Sequence, residues 1–268
     1  MIGIFDSGFG WLQTLKYFQE AYPHYDYLFL ADQKNYPFWT KTPTQVKEYT
    51  FQWLQRLFDQ WAQIVIIACN TAAAYAIRER QKIYPDKKTL SITTPGMEKI
   101  SEVEKTCKNI AVRATQGTMQ SGMYTKLFEK IDKTKHINMQ VTVTTELVDL
   151  VEKGETDTNK KQKIIQKYTQ ALEKDKIDCL VLGCTHFPVL LPEIKTQFDW
   201  KIIDPWYEAV NKFGPYLTKH PEISKKITMN KTTTIYTTWD EKEFAVIGKN
   251  IMPLDDIVIN KVIISNQE

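Results

Sequence analysis

The sequence lacks any apolar run that approaches the roughly 18 residues needed to cross a membrane as a helix. Cysteine is scarce: there are four, at positions 69, 107, 179 and 184, and none has C-x-x-C spacing. That number and spacing exclude a disulfide framework and a thiolate metal site, and free thiols indicate a reducing compartment. A large excess of one charge is also missing, because the net charge is only +3 and the lysines are dispersed. The charge therefore gives no argument for a nucleic-acid partner.

What the sequence does contain is enough apolar material for a folded protein. Its 268 residues allow one large domain or two modest ones, and the 43% hydrophobic content is sufficient for real cores. The chain opens with an apolar segment at residues 2–5 that is typical of a strand and not of a signal peptide. We therefore expect a cytoplasmic protein.

Strand-like and helix-like segments alternate along the chain, which predicts βαβ units and parallel sheets. A first round has strands at 2–5, 27–31 and 64–69, with helices up to about 20, over 44–60 and from 71. A second round begins near 92–96, where Pro95-Gly96 breaks the pattern, and has strands at 110–113, 141–143, 180–183 and 202–204. A helix at 207–220 and strands at 233–238 and 257–264 follow, and Asp240 with Glu243 predicts a helix N-terminus. The fold class is α/β with two sheets.

Two segments repeat the same pattern, VIIACNT at 65–71 and LVLGCTH at 180–186. Each is an apolar run, typical of a strand buried on both faces, that ends in a cysteine and two small or polar residues. In open α/β sheets, chemistry gathers where such strands end and helices begin. The match predicts one site built from two halves, with Cys69 and Cys184 on either side of a substrate. Cys107 and Cys179 have no such setting, and we expect them to be buried and inert.

The residues around the two cysteines suit proton transfer. A helix N-terminus favours a thiolate, so we expect the cysteine pKa to fall from about 8.5 toward neutrality. His186 titrates near neutral pH, and Asp6, at the end of the first strand, lies at the same sheet edge as Cys69. Hydrogen-bond donors for a carboxylate or a developing enolate are available from Asn70, Thr71 and Thr185.

Three segments resemble the signature segments of glutamate racemases, pyridoxal-independent members of the aspartate/glutamate racemase superfamily: FDSG at 5–8, ACNTA at 68–72 and LGCTHFP at 182–188. The likeness runs nearly end to end. It includes Asp32 with Pro37 and the segments at 41–43, 115–124, 150–152 and 236–238. The segment around His186 discriminates most, since aspartate-type relatives usually carry a different residue there.

The resemblance implies racemisation of L-glutamate and D-glutamate without pyridoxal phosphate or metal, which supplies D-glutamate for peptidoglycan. Cys69 would act on the α-proton of D-glutamate and Cys184 on that of L-glutamate, with Asp6 assisting the first thiol and His186 the second. The implied substrate-binding residues are Asp6, Ser7, Phe38, Trp39, Asn70, Thr71, Thr185 and His186. The residues expected to support the site are Asp32, Glu152, Thr115 and Thr118.

The resemblance also implies the domain organisation. Two three-layer α/β domains with mostly parallel sheets would be related by a pseudo-twofold axis, with the active site in the cleft between them. The first domain would be discontinuous, with residues 1–93 and 208–268, and residues 94–207 would form the second. The expected partner is glutamate, with no nucleic acid and no membrane, and a homodimer is one option for the assembly.

Tryptophan replaces glycine at several family positions. Only 10 residues are glycine, where average usage predicts about 19. Five of the seven tryptophans stand where the family has glycine: Trp11, Trp39, Trp61, Trp206 and Trp239. Tryptophan substitutes poorly for glycine at a turn or a close approach. Our hypothesis is that these are UGA codons that specify glycine. If the tryptophans are genuine, we expect a crowded pocket around Trp39 and weak or altered activity.

Three other functions compete with glutamate racemisation. An aspartate-type racemase, or a related isomerase or decarboxylase, would share the fold and the paired thiols. A non-catalytic, degenerate homologue would bind glutamate at best, with its site plugged by Trp39. A dithiol redox protein would require a disulfide between Cys69 and Cys184, which space for a substrate would forbid.

Overall fold

The computed structural model describes residues 1–10, 12–103, 106–131, 137–174, 176–197 and 201–263. The strands are β1 (Ile2–Asp6), β2 (Tyr27–Ala31), β3 (Ile64–Ile67), β4 (Lys88–Ser91), β5 (Asn109–Ala114), β6 (Asn138–Val143), β7 (Cys179–Gly183), β8 (Lys201–Ile203), β9 (Thr233–Thr237) and β10 (Val258–Lys261). The α-helices are α1 (Leu12–Ala21), α2 (Pro43–Asp59), α3 (Asn70–Ile83), α4 (Thr93–Val103), α5 (Gln116–Gln120), α6 (Met123–Ile131), α7 (Thr145–Glu152), α8 (Thr158–Lys174), α9 (Leu191–Lys195), α10 (Pro205–Lys219), α11 (Pro221–Ser224) and α12 (Glu241–Gly248). Short 3-10 helices lie at Gln33–Asn35, Phe38–Thr40 and Phe187–Leu190.

The strands form two sheets in which every described pairing is parallel. The larger sheet has the order β10-β9-β2-β1-β3-β4, and the smaller has the order β6-β5-β7-β8. Strands β1–β4 and strands β5–β8 therefore share one order, in which the first strand lies between the second and the third. Helices flank both sheets, so the predicted α/β class with two parallel sheets is confirmed.

The central strands are apolar because both of their faces are covered. Every residue of β1, β2, β3 and β7 is buried, as expected for parallel strands between helical layers. One apolar cluster includes Ile4 from β1, Leu182 from β7 and Trp206 from α10. The halves built on the two sheets therefore share a buried boundary.

Pro95-Gly96 does not interrupt the pattern of strands and helices, so the predicted break at these residues is wrong. Both residues lie near the start of α4, where proline is tolerated because the first helical N–H groups need no intrahelical acceptor. Helix α4 packs closely against α10. A Cβ atom on Gly96 would lie 2.7 Å from Cβ of Pro205, so this close approach requires glycine. The edge strand β4 was not predicted, because it is short and half-buried.

Most of the other predicted element boundaries lie within two residues of those in the structure, but β6 begins three residues before the predicted strand at 141–143. Strand β10 ends at Lys261, and the predicted end of that strand at 264 lies outside the described residues. Strand β3 ends at Ile67, two residues before the cysteine that the sequence pattern assigned to the strand. Asp240 caps α12, accepting hydrogen bonds from the backbone N–H groups of Lys242 and Glu243. Among the described helices, none combines the length and the apolarity that crossing a membrane requires.

Asp26 ties the start of β2 to the loop before β9. Its Oδ1 accepts hydrogen bonds from the backbone N–H groups of Asn230 at 3.0 Å and Thr232 at 2.8 Å. The side chains of Asn230 and Thr232 also donate to this carboxylate, each at 2.8 Å. Burial acts to raise the pKa of Asp26, but the hydrogen bonds outweigh it and lower the pKa to about 2. The folded state therefore favours the ionised form of the Asp26 carboxylate.

We expect Asp26→Asn to lower the free energy of unfolding by about 2 kcal/mol at pH 7, because it removes charge-assisted hydrogen bonds. The folded-state pKa lies below the ordinary value of 3.8, so the stabilisation is present above pH 4 and disappears as pH falls toward 2. Thermal unfolding at pH 7 and pH 3 measures this difference. Asp255→Asn is the control, because that side chain is 79% exposed, and an equal loss of stability in both variants would contradict the prediction.

Candidate active site

Cys69 lies where β3 passes into α3, and it caps that helix. The backbone N–H of Ala72 donates a hydrogen bond to Cys69 Sγ at 3.4 Å. Ser7, which follows the neighbouring strand β1, places its Oγ 3.3 Å from the same sulfur. Parallel strands bring these two side chains together because their carboxyl ends meet at one sheet edge.

Asp6 is fully buried beside this thiol. Its Oδ1 accepts hydrogen bonds from the backbone N–H groups of Ser7 at 2.6 Å and Gly8 at 3.2 Å, while Oδ2 has no hydrogen-bond partner among the described residues. Burial raises the pKa of Asp6 to about 7, although the positive charge of His186 opposes this effect. A carboxyl group with such a pKa can gain or lose a proton at neutral pH.

The pKa expected for Cys69 is wrong. Burial raises the pKa of this thiol above its ordinary value, and the negative charge of Asp6 raises it further. The hydrogen bonds from Ser7 and the helix N-terminus act in the opposite direction but are weaker. The protonated thiol is therefore the favoured form. The charge of Cys184 also contributes, so the two sulfurs lie within electrostatic range of each other.

Cys184 follows β7 and contacts a histidine. Its Sγ lies 3.2 Å from Nδ1 of His186, and Oγ1 of Thr185 lies 3.4 Å from the same nitrogen. The other ring nitrogen of His186 contacts Oε1 of Glu152, at the end of α7. Burial lowers the pKa of His186, but the negative charges of Cys184 and Glu152 outweigh burial and raise the pKa well above its ordinary value. This shift favours the imidazolium form, whose two N–H groups can donate to both neighbours.

The loop after β1 connects the two thiol environments. The backbone N–H of Phe9 donates a hydrogen bond to Glu152 Oε1 at 2.6 Å, so one oxygen serves both Phe9 and His186. Gly10 lies directly against the backbone of Thr185 and His186, and a Cβ atom there would overlap with them. The absence of a side chain at Gly10 thus lets the two strand-end loops meet.

Three buried hydroxyl groups join the two halves. Oγ1 of Thr71, in α3, lies 3.0 Å from Oγ1 of Thr115 and 3.3 Å from that of Thr118. The hydroxyls of Thr115 and Thr118 are 3.1 Å apart. All three residues are at most 3% exposed. Such a cluster can offer several donors to one carboxylate group.

Four buried residues near the strand ends carry polar atoms that lack a hydrogen-bond partner among the described residues: Asp6, Asn70, Tyr124 and Thr144. Buried polar atoms without partners are rare in native proteins and need an explanation. Tyr124 and Thr144 were not predicted as site residues. Thr144 follows β6 directly, so its position after a strand was an available signal. Tyr124 lies within α6 and closes the segment at 115–124 that resembles the family, which was an available signal.

The loop at Phe38–Thr40 has one buried and one partly buried aromatic side chain. The Phe38 side chain is fully buried, with its ring centroid 6.2 Å from that of Phe5, and it belongs to the same apolar cluster as Cys69, so its role in substrate binding stays a prediction. Trp39 is partly buried and packs edge-on against Tyr36, with ring centroids 5.1 Å apart. The Asp32 carboxylate accepts hydrogen bonds from the backbone and side chain of Asn35, so it shapes this loop.

The tryptophans at the family's glycine positions differ in their settings. Trp61 has a φ of 71°, in the left-handed region that favours glycine, and it is 77% exposed. Trp206 is buried, and its indole N–H donates to the carbonyl of Ala68 at 3.2 Å. Trp239 packs against Phe9, with ring centroids 5.5 Å apart. Trp11 lies outside the described residues. The hypothesis that these positions are UGA-encoded glycines stays a prediction, and the backbone conformation at Trp61 favours it. The crowded pocket expected around Trp39 also stays a prediction.

We expect Trp61→Gly to exceed Trp61→Ala in free energy of unfolding by about 1 kcal/mol, because only glycine relieves the left-handed backbone. Both variants remove the exposed indole, so their difference isolates the Cβ atom. Denaturant unfolding measures it, and equal stabilities would contradict the prediction. Separately, UGG codons at the five positions would end the genetic-code hypothesis.

All four cysteines are free thiols, and all are buried. Cys107 and Cys179 lie in the apolar core around the smaller sheet. In the part of the chain that the structure describes, no group of three or more His, Cys, Asp or Glu side chains is arranged to hold a metal ion. The chemistry-bearing side chains instead gather around Cys69 and Cys184.

Comparisons with known proteins identify the family of this chain. Residues 15–213 match the family described as Asp/Glu/Hydantoin racemase. A glutamate racemase of Limosilactobacillus reuteri is 30% identical over 254 residues, which cover 94% of this chain and 92% of that protein. A glutamate racemase of Aquifex aeolicus is 33% identical over 198 residues, or 74% of this chain and 75% of that protein.

A solved structure has the same architecture. The crystal structure of glutamate racemase from Francisella tularensis in complex with D-glutamate superimposes with a TM-score of 0.85 at 26% identity. The superposition covers 98% of this chain and 97% of the other.

Proposed function

Because this chain belongs to the Asp/Glu/hydantoin racemase family, we propose that it interconverts L-glutamate and D-glutamate with two cysteine bases and no cofactor. The observation that carries the proposal is the pair of thiols, Cys69 and Cys184. Each follows the third strand of its sheet, and each has its own proton-transfer partners. Inversion at a carbon atom needs this arrangement, because the proton removed from one face must be replaced on the other.

The protonation states of the site support the direction from L-glutamate to D-glutamate. Cys184 removes the α-proton of L-glutamate, with the His186 imidazolium stabilising the negative charge near the sulfur. The carbanion stays planar between the thiols. Cys69, whose raised pKa favours the protonated form, then donates its proton to the opposite face. No bond other than those to hydrogen is broken.

The reverse direction uses the same groups with exchanged roles. Cys69, now a thiolate, removes the α-proton of D-glutamate, and Cys184 donates to the other face. Asp6 has a pKa of about 7, so it can take up the proton that Cys69 gains in this direction and can return a proton to Cys69 in the other. Ser7 contacts the sulfur directly, so it is suited to stabilise the thiolate.

The polar groups around the thiols suit the carboxylate and ammonium groups of the substrate. We assign substrate binding to Ser7, Asn70, Thr185 and the hydroxyl cluster of Thr71, Thr115 and Thr118. Glu152 supports His186, and Asp32 supports the loop that carries Trp39. We also propose the division into residues 1–93 with 208–268 and residues 94–207, with the site in the cleft between them. The product D-glutamate would serve peptidoglycan synthesis in the cytoplasm.

Circular dichroism of L-glutamate incubated with the protein, without added pyridoxal phosphate, tests the proposal. We expect the optical signal to decay to zero, and D-glutamate to give the same end point. L-aspartate and D-aspartate, measured under the same conditions, distinguish the aspartate-type alternative. If none of the four is racemised and no α-hydrogen exchanges in heavy water, the chain is a non-catalytic homologue.

A further inference from the structure

Tyr75 joins the two halves of the protein through a hydrogen bond that the steps above do not use. The residue is partly buried and lies in α3, which follows β3 of the larger sheet. Its hydroxyl donates a hydrogen bond to the backbone carbonyl of Gly117 at 3.1 Å. Gly117 lies in α5, which follows β5 of the smaller sheet. The bond therefore crosses from one half to the other.

The backbone of α5 packs directly against the half of the larger sheet. A Cβ atom on Gly117 would lie 2.9 Å from Cγ2 of Thr71 and 3.0 Å from Cα of Trp39. The contact at position 39 is with the backbone, so it does not depend on which side chain that position carries. Glycine at 117 thus allows the two halves to approach closely at this point.

The same face of α3 also carries one member of the buried hydroxyl cluster. Tyr75 follows Thr71 by four residues, so both side chains lie on one face of the helix. Oγ1 of Thr71 lies 3.0 Å from Oγ1 of Thr115 and 3.3 Å from that of Thr118, the threonines on either side of Gly117 in the sequence. Two hydroxyl groups of α3 therefore hold the start of α5.

The bond from Tyr75 is an addition to the hydrogen bonding of α5. The carbonyl of Gly117 also accepts a hydrogen bond from the backbone N–H of Ser121 at 3.1 Å. A carbonyl oxygen has two lone pairs and can accept both bonds. Loss of the Tyr75 hydroxyl thus leaves no buried acceptor without a partner, so it should change the stability of the fold little.

We propose that Tyr75 is a positioning residue whose bond to Gly117 holds α5 against α3 and so assembles the hydroxyl cluster around a carboxylate of bound glutamate. The inference rests on the proposed function, and it gives Tyr75 no contact with the substrate. The cluster takes its hydroxyls from both halves, so they can reach one carboxylate together only while the halves are in contact. They are also buried, so a substrate reaches them only when the halves separate. The bond from Tyr75 favours the closed arrangement.

This role affects binding more than proton transfer. Loss of the bond lowers the population of the closed arrangement in the free protein, and the apparent affinity for substrate falls by the same factor. The net contribution of one hydrogen bond corresponds to a change of about two- to tenfold in affinity. Both enantiomers carry the same carboxylate groups, so both lose affinity. Once bound, the carboxylate itself bridges the two halves, and the thiols are unchanged.

The test is Tyr75→Phe, assayed for racemisation and for thermal unfolding with and without D-glutamate. We expect KM for L-glutamate and for D-glutamate to rise about fivefold, while kcat stays within about twofold. Tm without glutamate should be nearly unchanged. The rise in Tm that a fixed concentration of D-glutamate produces should be smaller than in the wild type, because the affinity is lower.

Tyr22→Phe is the matched control. The Tyr22 hydroxyl donates to the carbonyl of Val210 at 2.8 Å and accepts from the backbone N–H of Gly214 at 2.8 Å. Those residues lie in α10, and all three positions fall within residues 1–93 and 208–268, the ranges that we assign to one domain. Tyr22→Phe should therefore lower Tm and keep the wild-type KM.

A double-mutant cycle with Thr118→Val shows whether Tyr75 acts through the hydroxyl cluster. Each variant alone should raise KM, and Tyr75→Phe should raise it less in the Thr118→Val background, because the cluster is then already incomplete. Additive effects, or an unchanged KM in Tyr75→Phe while the wild type racemises glutamate, would overturn this inference alone. A wild type that does not racemise glutamate would overturn the proposed function on which the inference rests.

Discussion

Cys69→Ser and Cys184→Ser are each expected to lower glutamate racemisation by at least about 10²-fold, because in the mechanism proposed above each removes the proton-transfer group on one face of the substrate. Serine keeps the size of the side chain, but its hydroxyl is a much weaker acid than a thiol. The two enantiomers have equal free energies, so kcat/KM must fall by the same factor in both directions. Racemisation rates alone therefore cannot tell which thiol serves which enantiomer.

Hydrogen exchange in heavy water makes that distinction. Cys69→Ser keeps the thiol assigned to L-glutamate, so we expect it to exchange the α-hydrogen of L-glutamate without inversion. Cys184→Ser should exchange the α-hydrogen of D-glutamate only. Proton NMR with chiral analysis of the product measures both. Cys107→Ala is the control, since Cys107 lies in the core and should leave racemisation intact. Undiminished racemisation by either serine variant would exclude that thiol as a base.

Glu152→Gln is expected to lower kcat/KM by about 10- to 100-fold in both directions, because it removes one of the two negative charges, those of Cys184 and Glu152, that raise the pKa of His186. Glutamine can still accept a hydrogen bond from Phe9 N, so the loop after β1 is preserved. The pKa of His186 should fall toward its ordinary value. Activity should then decline as the pH rises through that lowered pKa, where the wild type is unaffected.

Glu152→Gln should slow hydrogen exchange in only one enantiomer, although it lowers racemisation in both directions. Exchange of the α-hydrogen of L-glutamate, which depends on Cys184, should slow, and exchange in D-glutamate should persist. Glu146→Gln is the control, because Glu146 lies in the same helix, α7, but pairs with Lys167 at the surface. Equal losses of exchange in both enantiomers would contradict the assignment of Glu152 to the Cys184 side.

The strands were predictable because they are local apolar runs. Those at 27–31 and 180–183 differ from the observed β2 and β7 by at most one residue. The two cysteines were predictable because each follows such a run at a strand end. The predicted break at Pro95-Gly96 was wrong, because the glycine is required by close packing against Pro205, more than a hundred positions away in the sequence.

The electrostatics of the site could not be read from spacing. A helix N-terminus does contact Cys69, as expected, but the pKa of the thiol depends on burial and on Asp6, and burial is a property of the whole fold. Tyr124 illustrates the same limit. Its spacing on α6 is that of a core residue, and the lack of a hydrogen-bond partner for its hydroxyl among the described residues became visible only in the structure.

The shared strand order of the two halves has a consequence for stereochemistry. A protein made of L-amino acids cannot build mirror-image surfaces for mirror-image substrates. Two halves with the same strand order can instead present similar surfaces that are related by a rotation. A rotation of 180° about an axis in the plane of a trigonal carbon atom exchanges the two faces of that atom. The sulfurs can then be alike while their neighbours differ, as Ser7 and His186 do. The two enantiomers reach equal concentrations because their free energies are equal, whatever groups surround each sulfur. The residues around Cys69 and Cys184 can therefore differ without changing the equilibrium.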